Sequence, residues 1–186
     1  MNRSAGQVRI IGGRLRGRRI SVADAPGLRP TPDRVRETLF NWLTPYIAGA
    51  RVLDLFAGTG ALGLEAASRG AACVKMVEQQ RQVLAALRDL LQRVPVPEVQ
   101  LVAADALAFL ASDMAQYDLI LLDPPFDAAL LAPALEAIVR HQRLAPAGFC
   151  YIEQPRDAAL PALPQGWTLH RSGRAGEVGY HLLHGP

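Results

Sequence analysis

The chain has few cysteines and no long apolar run, and each shortage excludes a class of protein. Cys73 and Cys150 are the only two cysteines, and they lack the spacing of a disulfide framework or a Cys/His metal centre. Each lies in an apolar run, so we expect two buried thiols and no bound metal. No uncharged apolar stretch reaches the roughly 20 residues of a membrane helix, and no apolar signal core follows the first residues. We therefore expect a cytoplasmic protein with no membrane segment.

Aromatic residues are also scarce, at 6% of the 186 residues, although 50% of the chain is hydrophobic and 20% is charged. This composition is ordinary for a globular protein, and the length suffices for one good core. It excludes a disordered chain and argues against more than one large domain. The apolar residues are mainly Ala, Leu and Val, punctuated by 16 glycines and 14 prolines, which fits an alternating α/β chain.

Lysine is nearly absent, and arginine is concentrated at the amino-terminal end. The first 36 residues hold nine arginines and two aspartates, a net charge of +7, whereas the whole chain carries +3 and the remainder therefore −4. Such a split is typical of a basic arm that binds a polyanion.

Two short β-like runs, Gln7 to Ile11 and Arg18 to Val22, flank several glycines and predict a bent hairpin with arginines on its exposed face. The hairpin is either a nucleic-acid contact or a solvated charged surface, and the lack of interleaved acids favours the contact. The arginines that we expect to contact nucleic acid are Arg9, Arg14, Arg16, Arg18, Arg19 and Arg34. We expect residues 1–30 to form this arm and residues 31–186 to form the main domain.

From residue 31 onward, strand patterns and helix patterns alternate. Helices are predicted near residues 32–46, 60–68, 79–93, 106–111 and 129–140, and strands near residues 51–56, 73–77, 99–102, 117–122 and 148–153. Continuous apolar strands between helices indicate a parallel sheet that is buried on both faces. Trp167 to Arg171 and Val178 to Leu183 predict a closing antiparallel hairpin. The expected fold is a Rossmann-like α/β domain with a mixed, mostly parallel seven-stranded sheet.

A glycine-rich stretch follows the first predicted strand of the main domain. Gly58, Gly60 and Gly63 satisfy G-x-G-x-x-G, and Glu78 follows about 20 residues later, as in a nucleotide-binding site. Asp54 at the end of the strand would repel a pyrophosphate but would attract a ligand with an ammonium and a sulfonium. Glu78 could accept hydrogen bonds from ribose hydroxyls. The pattern therefore predicts a site for a cationic nucleoside, with a ligand-free glycine turn as the structural alternative.

Acidic residues also end two further predicted strands. Asp105 could accept a hydrogen bond from an adenine amine, cap the next helix, or do both. After the fourth strand, Pro124 and Pro125 fix the backbone and expose the Asp123 carboxylate and nearby carbonyls. Such acceptors can hold the two hydrogens of an exocyclic amine and orient its lone pair towards an electrophile. Phe126 would stack on a flipped base, or else belong to the core.

Two motifs carry a family resemblance. Residues 54–60 (DLFAGTG) resemble the first motif of class I S-adenosylmethionine-dependent methyltransferases, and residues 123–126 (DPPF) resemble the (D/N)-P-P-(F/Y/W) motif of those that methylate exocyclic amines. Further matching segments are residues 9–13 (RIIGG), 16–18 (RGR), 29–37 (RPTPDRVRE) and 39–43 (LFNWL). From Val8 to Leu183, the chain resembles the bacterial family of small-subunit ribosomal RNA guanine-N2 methyltransferases, RsmD.

The resemblance implies methylation of a guanine exocyclic amine in 16S ribosomal RNA, with S-adenosylmethionine as cofactor. Ribosomal RNA or an assembly intermediate of the small subunit would be the partner, and nothing in the sequence demands more than a monomer. The residues implied at the transfer centre are Asp123, Pro124, Pro125 and Phe126. Those implied at the cofactor are Asp54, Phe56, Ala57, Gly58, Gly60, Glu78, Asp105, Ala106, Thr31 and Arg36. Arg36 could pair with the methionine carboxylate or be an ordinary charge near a helix amino terminus.

Three alternatives stay open at this point. The same motif geometry also serves amine methyltransferases that act on DNA adenine or on protein glutamine. An NAD-dependent oxidoreductase would satisfy the glycine pattern, although Asp54 opposes a pyrophosphate. A ribosomal RNA-binding assembly factor with a vestigial cofactor site is the third alternative.

Overall fold

The computed structural model describes residues 7–21 and 31–186. The strands in these residues are β1 (Gln7–Arg9), β2 (Arg19–Ser21), β3 (Arg51–Asp54), β4 (Cys73–Glu78), β5 (Val99–Ala103), β6 (Tyr117–Leu122), β7 (Leu144–Pro155), β8 (Thr168–Ala175) and β9 (Val178–His184). The helices are α1 (Asp33–Trp42), α2 (Ala61–Ser68), α3 (Arg81–Arg93), α4 (Ala106–Ser112) and α5 (Leu131–Arg140).

Strands β3 to β9 form one seven-stranded sheet in the order β5-β4-β3-β6-β7-β9-β8. The first five strands in this order are parallel, whereas β9 runs antiparallel to β7 and β8 antiparallel to β9. The predicted mixed, mostly parallel sheet with a closing hairpin is therefore confirmed. Parallel strands need crossover connections, and α2 to α5 provide them.

The core lies on both faces of this sheet because strand side chains alternate between faces. On β3, Val52 packs with α1, α2 and α3, while its neighbour Leu53 packs with α4 and α5 on the opposite face. The same alternation separates Leu121 from Leu122 on β6. All four side chains are fully buried. Because both faces of these strands are buried, their sequences are continuous apolar runs.

The basic hairpin predicted from the sequence packs against the main domain. Strands β1 and β2 pair antiparallel, with Val8 opposite Ile20, and both side chains are buried in the cluster that contains α1 and α2. Gly13 has a φ of +74°, and a Cβ there would lie 1.9 Å from the Ser68 carbonyl oxygen, so only glycine fits this contact. The hairpin thus shares the core of the domain. The expected boundary at residue 30 and the expected strand end at Val22 lie outside the described residues.

Element ends differ from the predictions where the backbone leaves regular geometry. Helix α1 ends at Trp42 rather than near residue 46, and Pro45 disfavours a helical conformation at the residue before it. Helix α5 begins at Leu131 rather than near 129, because Ala129 has a φ of +48° after a short 3-10 turn. No helix within the described ranges is long and apolar enough to span a membrane.

Candidate active site

The candidate site lies at the carboxyl edge of the parallel strands. Strands β3 and β6 are neighbours in the sheet, although two strands and three helices separate them in sequence. Such a switch in strand order opens a crevice at the carboxyl ends, where α/β proteins bind ligands. Asp54 ends β3, Glu78 ends β4, Asp105 follows β5 and Asp123 follows β6. The structure therefore brings these four predicted acids to one edge.

The glycine-rich turn is tight and is fixed to the sheet. Gly58 and Gly60 have φ values of +49° and +77°, which side chains with a Cβ rarely adopt. A Cβ on Gly60 would also lie 2.8 Å from a methyl carbon of Leu87 on α3. The Ala57 amide donates to the Val77 carbonyl at 2.9 Å, which ties the turn to β4. Glycine therefore allows the chain to reverse closely over the ends of β3 and β4.

Asp54 is buried and has an incomplete set of hydrogen bonds. Its Oδ2 accepts from the Gly63 amide at 2.9 Å, and Oδ1 has no partner among the described residues. Burial, together with the negative charges of Asp123 and Glu78, raises the pKa of Asp54 to about 7. A buried carboxylate oxygen without a partner is suited to a cationic donor such as an ammonium group. This atom fits a cofactor that carries a primary amine.

Glu78 is buried and holds the glycine turn. Its Oε2 accepts from the Gly58 amide at 3.1 Å, and Oε1 accepts from the amides of Gln79 and Gln80 at 2.8 Å each. The carboxylate is therefore held in a fixed orientation by three backbone donors. Each carboxylate oxygen has two lone pairs, so Oε1 is saturated and Oε2 keeps capacity for one hydroxyl group of a ligand.

The other predicted cofactor residues lie beside these acids. Asp105 caps α4, because its Oδ1 accepts from the amides of Leu107 and Ala108 at 3.0 and 2.9 Å. The capping interpretation is thus confirmed, and contact with an adenine amine stays a prediction. Phe56 is half-buried after β3, and Ala106 is buried at the start of α4.

Asp123 belongs to a group of polar side chains that the sequence did not reveal. The Thr31 hydroxyl donates to Asp123 Oδ2 at 3.0 Å, which places Thr31 at the predicted transfer centre. Glu153 on β7 lies beside Asp123, because the strand register pairs Leu122 with Ile152, and the Tyr151 hydroxyl donates to Glu153 Oε1 at 2.8 Å. Burial raises the pKa of Asp123 to about 6 and, with the charge of Asp123, raises the pKa of Glu153 well above its usual value. The one sequence signal for Glu153 was a lone acid at the end of an apolar strand.

The rest of the DPPF motif presents different surfaces. Pro124 is buried, whereas Pro125 is exposed. Phe126 begins a 3-10 turn and is 43% exposed. Its ring is therefore not a core residue, and stacking on a base stays a prediction.

Arg36 is fully buried between α1, the hairpin and α2. Its Nη2 donates to the Arg9 carbonyl at 2.9 Å and to Asp33 Oδ1 at 2.6 Å, and Nη1 lies 3.8 Å from Glu65 Oε2. Glu65 also accepts from the amides of Ile11 and Gly12 at 2.8 Å each. This network anchors the hairpin, and sequence reasoning missed Glu65. A contact between Arg36 and a cofactor carboxylate stays a prediction.

The remaining arginines of interest form a cationic surface on the hairpin and α1. Exposed side chains are those of Arg9, Arg16, Arg18, Arg19 and Arg34. Arg14 is exposed as well, but its guanidinium forms an ion pair with Glu98 and donates to the Pro95 carbonyl at 2.7 Å. Arg14 is therefore the member of this group that is most engaged within the protein.

The sheet order, the reversed final hairpin and the acidic carboxyl edge define a Rossmann-like class I methyltransferase fold. A family model described as conserved hypothetical protein 95 matches residues 8–184. The chain belongs to this family, which is the predicted RsmD-like methyltransferase family.

Three relatives illustrate how far the similarity extends. "Ribosomal RNA small subunit methyltransferase D" of Escherichia coli strain K12 is 45% identical over 178 residues, which are 96% of this chain and 90% of the relative. The Haemophilus influenzae protein of the same name is 40% identical over 95% of this chain and 93% of its own length. The solved structure of the Escherichia coli protein yhhF, named as a candidate methyltransferase, has a TM-score of 0.87 and 44% identity, and it covers 96% of this chain and 98% of that one.

Proposed function

We propose that the protein transfers a methyl group from S-adenosylmethionine to the exocyclic N2 amine of a guanine in small-subunit ribosomal RNA. The observation that carries this proposal is the placement of Asp54 and Asp123 at the carboxyl ends of two adjacent parallel strands, β3 and β6. A partnerless buried oxygen for a cofactor cation thereby lies beside a carboxylate that can hold an amine. This chain covers 90% and 93% of two relatives that are named as small-subunit ribosomal RNA methyltransferases, and these names supply the substrate class.

The proposed cofactor contacts follow from the chemistry of each group. Asp54 Oδ1 would bind the ammonium of the methionine moiety, Glu78 Oε2 a ribose hydroxyl and Asp105 the adenine amine. Gly58 and Gly60 would let the backbone approach the nucleoside closely. Phe56, Ala57 and Ala106 would line the same edge. The contacts of Arg36 support its anchoring role more directly than a cofactor contact.

The reaction requires orientation more than acid-base activation. When bound, the cofactor supplies a methyl group on a sulfonium. Asp123 and the Pro124 carbonyl would accept the two amine hydrogens, so that the nitrogen lone pair points at the methyl carbon. The new nitrogen–carbon bond forms as the sulfur–carbon bond breaks, and a proton of the methylated amine passes to Asp123 and then to water. Because Asp123 must be ionised, kcat/KM should rise with pH through about 6.

The RNA contacts proposed are electrostatic and aromatic. The exposed arginines of the hairpin and α1 would bind backbone phosphates. Phe126, with 43% of its surface exposed beside Asp123, would stack on the extruded guanine. The arginines and Phe126 are thus separate residues from the acids that we assign to the cofactor.

The decisive experiment measures transfer of labelled methyl from S-adenosylmethionine to small ribosomal subunits that lack the modification, to naked ribosomal RNA and to duplex DNA. Digestion to nucleosides should place the label in N2-methylguanosine. Label in adenine, or in protein, would contradict the proposed amine. Cofactor binding without any transfer would favour an assembly factor, and binding of NADH in place of S-adenosylmethionine would favour an oxidoreductase.

A further inference from the structure

Glu153 is a buried acid that the proposed reaction does not yet use. Its side chain is 2% exposed, near the carboxyl end of β7. The parallel pairing of β6 and β7 aligns Leu122 with Ile152, so the next residue of each chain segment, Asp123 and Glu153, lies beside the other. On the other side, β9 places Tyr180 opposite Glu153 in the ladder. Glu153 is therefore enclosed by the sheet beside the proposed amine acceptor.

The hydrogen bonds of this acid pair leave a place for one proton. The Tyr151 hydroxyl donates to Glu153 Oε1 at 2.8 Å. The Thr31 hydroxyl donates to Asp123 Oδ2 at 3.0 Å. The pairing of β6 with β7 places Asp123 and Glu153 side by side. Two neighbouring carboxyls that share one proton can form a hydrogen bond, in which the protonated acid donates to the ionised one.

The surroundings favour the proton on Glu153. Within residues 7–21 and 31–186, no lysine or arginine forms an ion pair with Asp123 or Glu153, and Asp54 adds a negative charge nearby. Two adjacent carboxyls without a cation do not both ionise near neutral pH. Glu153 is more deeply buried than Asp123, which is only half-buried. The titratable groups that face the pair are Tyr151, Tyr180 and Asp54, and none of these side chains can carry a positive charge.

We propose that Glu153 is a positioning residue, whose protonated carboxyl donates a hydrogen bond to the Asp123 carboxylate and holds it towards the substrate amine. This inference rests on the proposed function, because it assumes that Asp123 accepts the amine hydrogens. Glu153 keeps its own proton throughout. The proton that leaves the methylated amine goes to Asp123 and from there to water, so the pair returns to its starting state.

The test compares Glu153→Gln with Glu153→Leu in the full-length protein. Gln keeps the size, the acceptor for Tyr151 and an N–H that can donate to Asp123, so kcat should stay within about threefold of the wild type. Leu removes the donor, so the pKa of Asp123 should rise and the acid limb of kcat/KM should move to higher pH. At neutral pH, kcat should fall about tenfold or more, the scale of one hydrogen bond to a charged group. KM for the cofactor and for RNA should change little.

Two results would overturn the inference. If the role of Glu153 is purely structural, Glu153→Leu should lower Tm. The kcat of the folded enzyme, and the pH at which its kcat/KM falls on the acid side, should then stay unchanged. An equal fall of kcat in the Gln and Leu variants would show that the ionised form of Glu153 is needed. Glu136→Gln, an exposed change on α5, controls for general effects of removing an acid.

A measurement without substrate separates this inference from the proposed function. Carbon-13 NMR of labelled carboxyls in the free protein should show one group that titrates near pH 6 and a second, with a pKa well above the usual value for glutamate, that is still protonated when the first has ionised. Ionisation of both groups at neutral pH would overturn the acid pair, whatever the substrate. An intact pair in an enzyme that does not methylate guanine would instead overturn the proposed function alone. Asp123→Asn should abolish the lower titration and so assign it.

Discussion

The anchored hairpin and the carboxyl edge of the sheet both bury charged groups, but they compensate them differently. Beside the hairpin, fully buried Glu65 of α2 accepts two backbone N–H groups and an N–H of Arg69, and its negative charge faces buried Arg36, whose Nε and Nη1 have no hydrogen-bond partner among the described residues. At the edge, Asp54 has an oxygen without a partner, and Asp123 forms no ion pair within the described residues. Buried charges that face an opposite charge hold structure together. Buried acids without cations leave binding capacity for a ligand, and they carry raised pKa values.

Removing the paired charge should give the largest effect on stability. Glu65→Ala leaves Arg69 and two backbone donors without their acceptor and removes the negative charge that faces buried Arg36, and breaking a buried ion pair costs about 3–5 kcal/mol. Urea unfolding should therefore show a large decrease in stability. Glu136→Ala on α5 is the matched surface control and should stay within about 0.5 kcal/mol. A decrease for Glu65→Ala no greater than for this control would show that the hairpin does not depend on the network.

Removing an unpaired acid should instead affect chemistry. Asp123→Ala deletes the proposed acceptor of the amine hydrogens, so kcat should fall about 100-fold or more. Affinity for S-adenosylmethionine, measured by calorimetry, should stay nearly unchanged. Asp123→Asn keeps one acceptor oxygen, so its kcat should fall less. Weak cofactor binding with normal turnover in the Ala variant would contradict the role given to Asp123.

The Asp54 carboxylate should favour cofactor binding but lower the stability of the cofactor-free protein. Removal of its charge in Asp54→Asn should raise the Kd for S-adenosylmethionine about tenfold or more, the scale of one charged hydrogen bond. The stability of the cofactor-free protein should instead increase in this variant. Burial raises the pKa of Asp54 from 3.8 to about 7, so the folded state binds its proton more tightly than the unfolded state.

The stabilising contribution of that proton is present below about pH 4 and is lost as pH rises towards 7. Above pH 7, Asp54→Asn should therefore raise the Tm of the cofactor-free protein. Thermal unfolding at several pH values measures this effect, with Glu136→Gln as a control because that acid is exposed on α5. A lower Tm for Asp54→Asn at pH 8 would show that the carboxylate is stabilised by groups other than a ligand.

The same contrast explains what the sequence could predict. Strands such as Tyr117–Leu122 are local apolar patterns, and the acids that end them follow recognisable motifs, so the sheet and its edge were predictable. Glu65 and Glu153 were not, because their partners are distant in sequence. Glu65 bonds to Gly12, 53 positions away, and Glu153 meets Asp123 only through the pairing of β6 with β7. Nothing local separates such a buried acid from a solvated one.

The arginine surface should give the smallest and most graded effect. Removing one arginine that binds a phosphate should reduce the slope of log affinity against log salt by roughly 0.7 to 1. Arg18→Ala should show this reduction, because the side chain is exposed. Arg14→Ala should show a smaller one, since its guanidinium pairs with Glu98 and the Pro95 carbonyl. Equal slopes for wild type and both variants, measured with ribosomal RNA, would remove the hairpin from the RNA interface and leave it with an anchored, purely structural role.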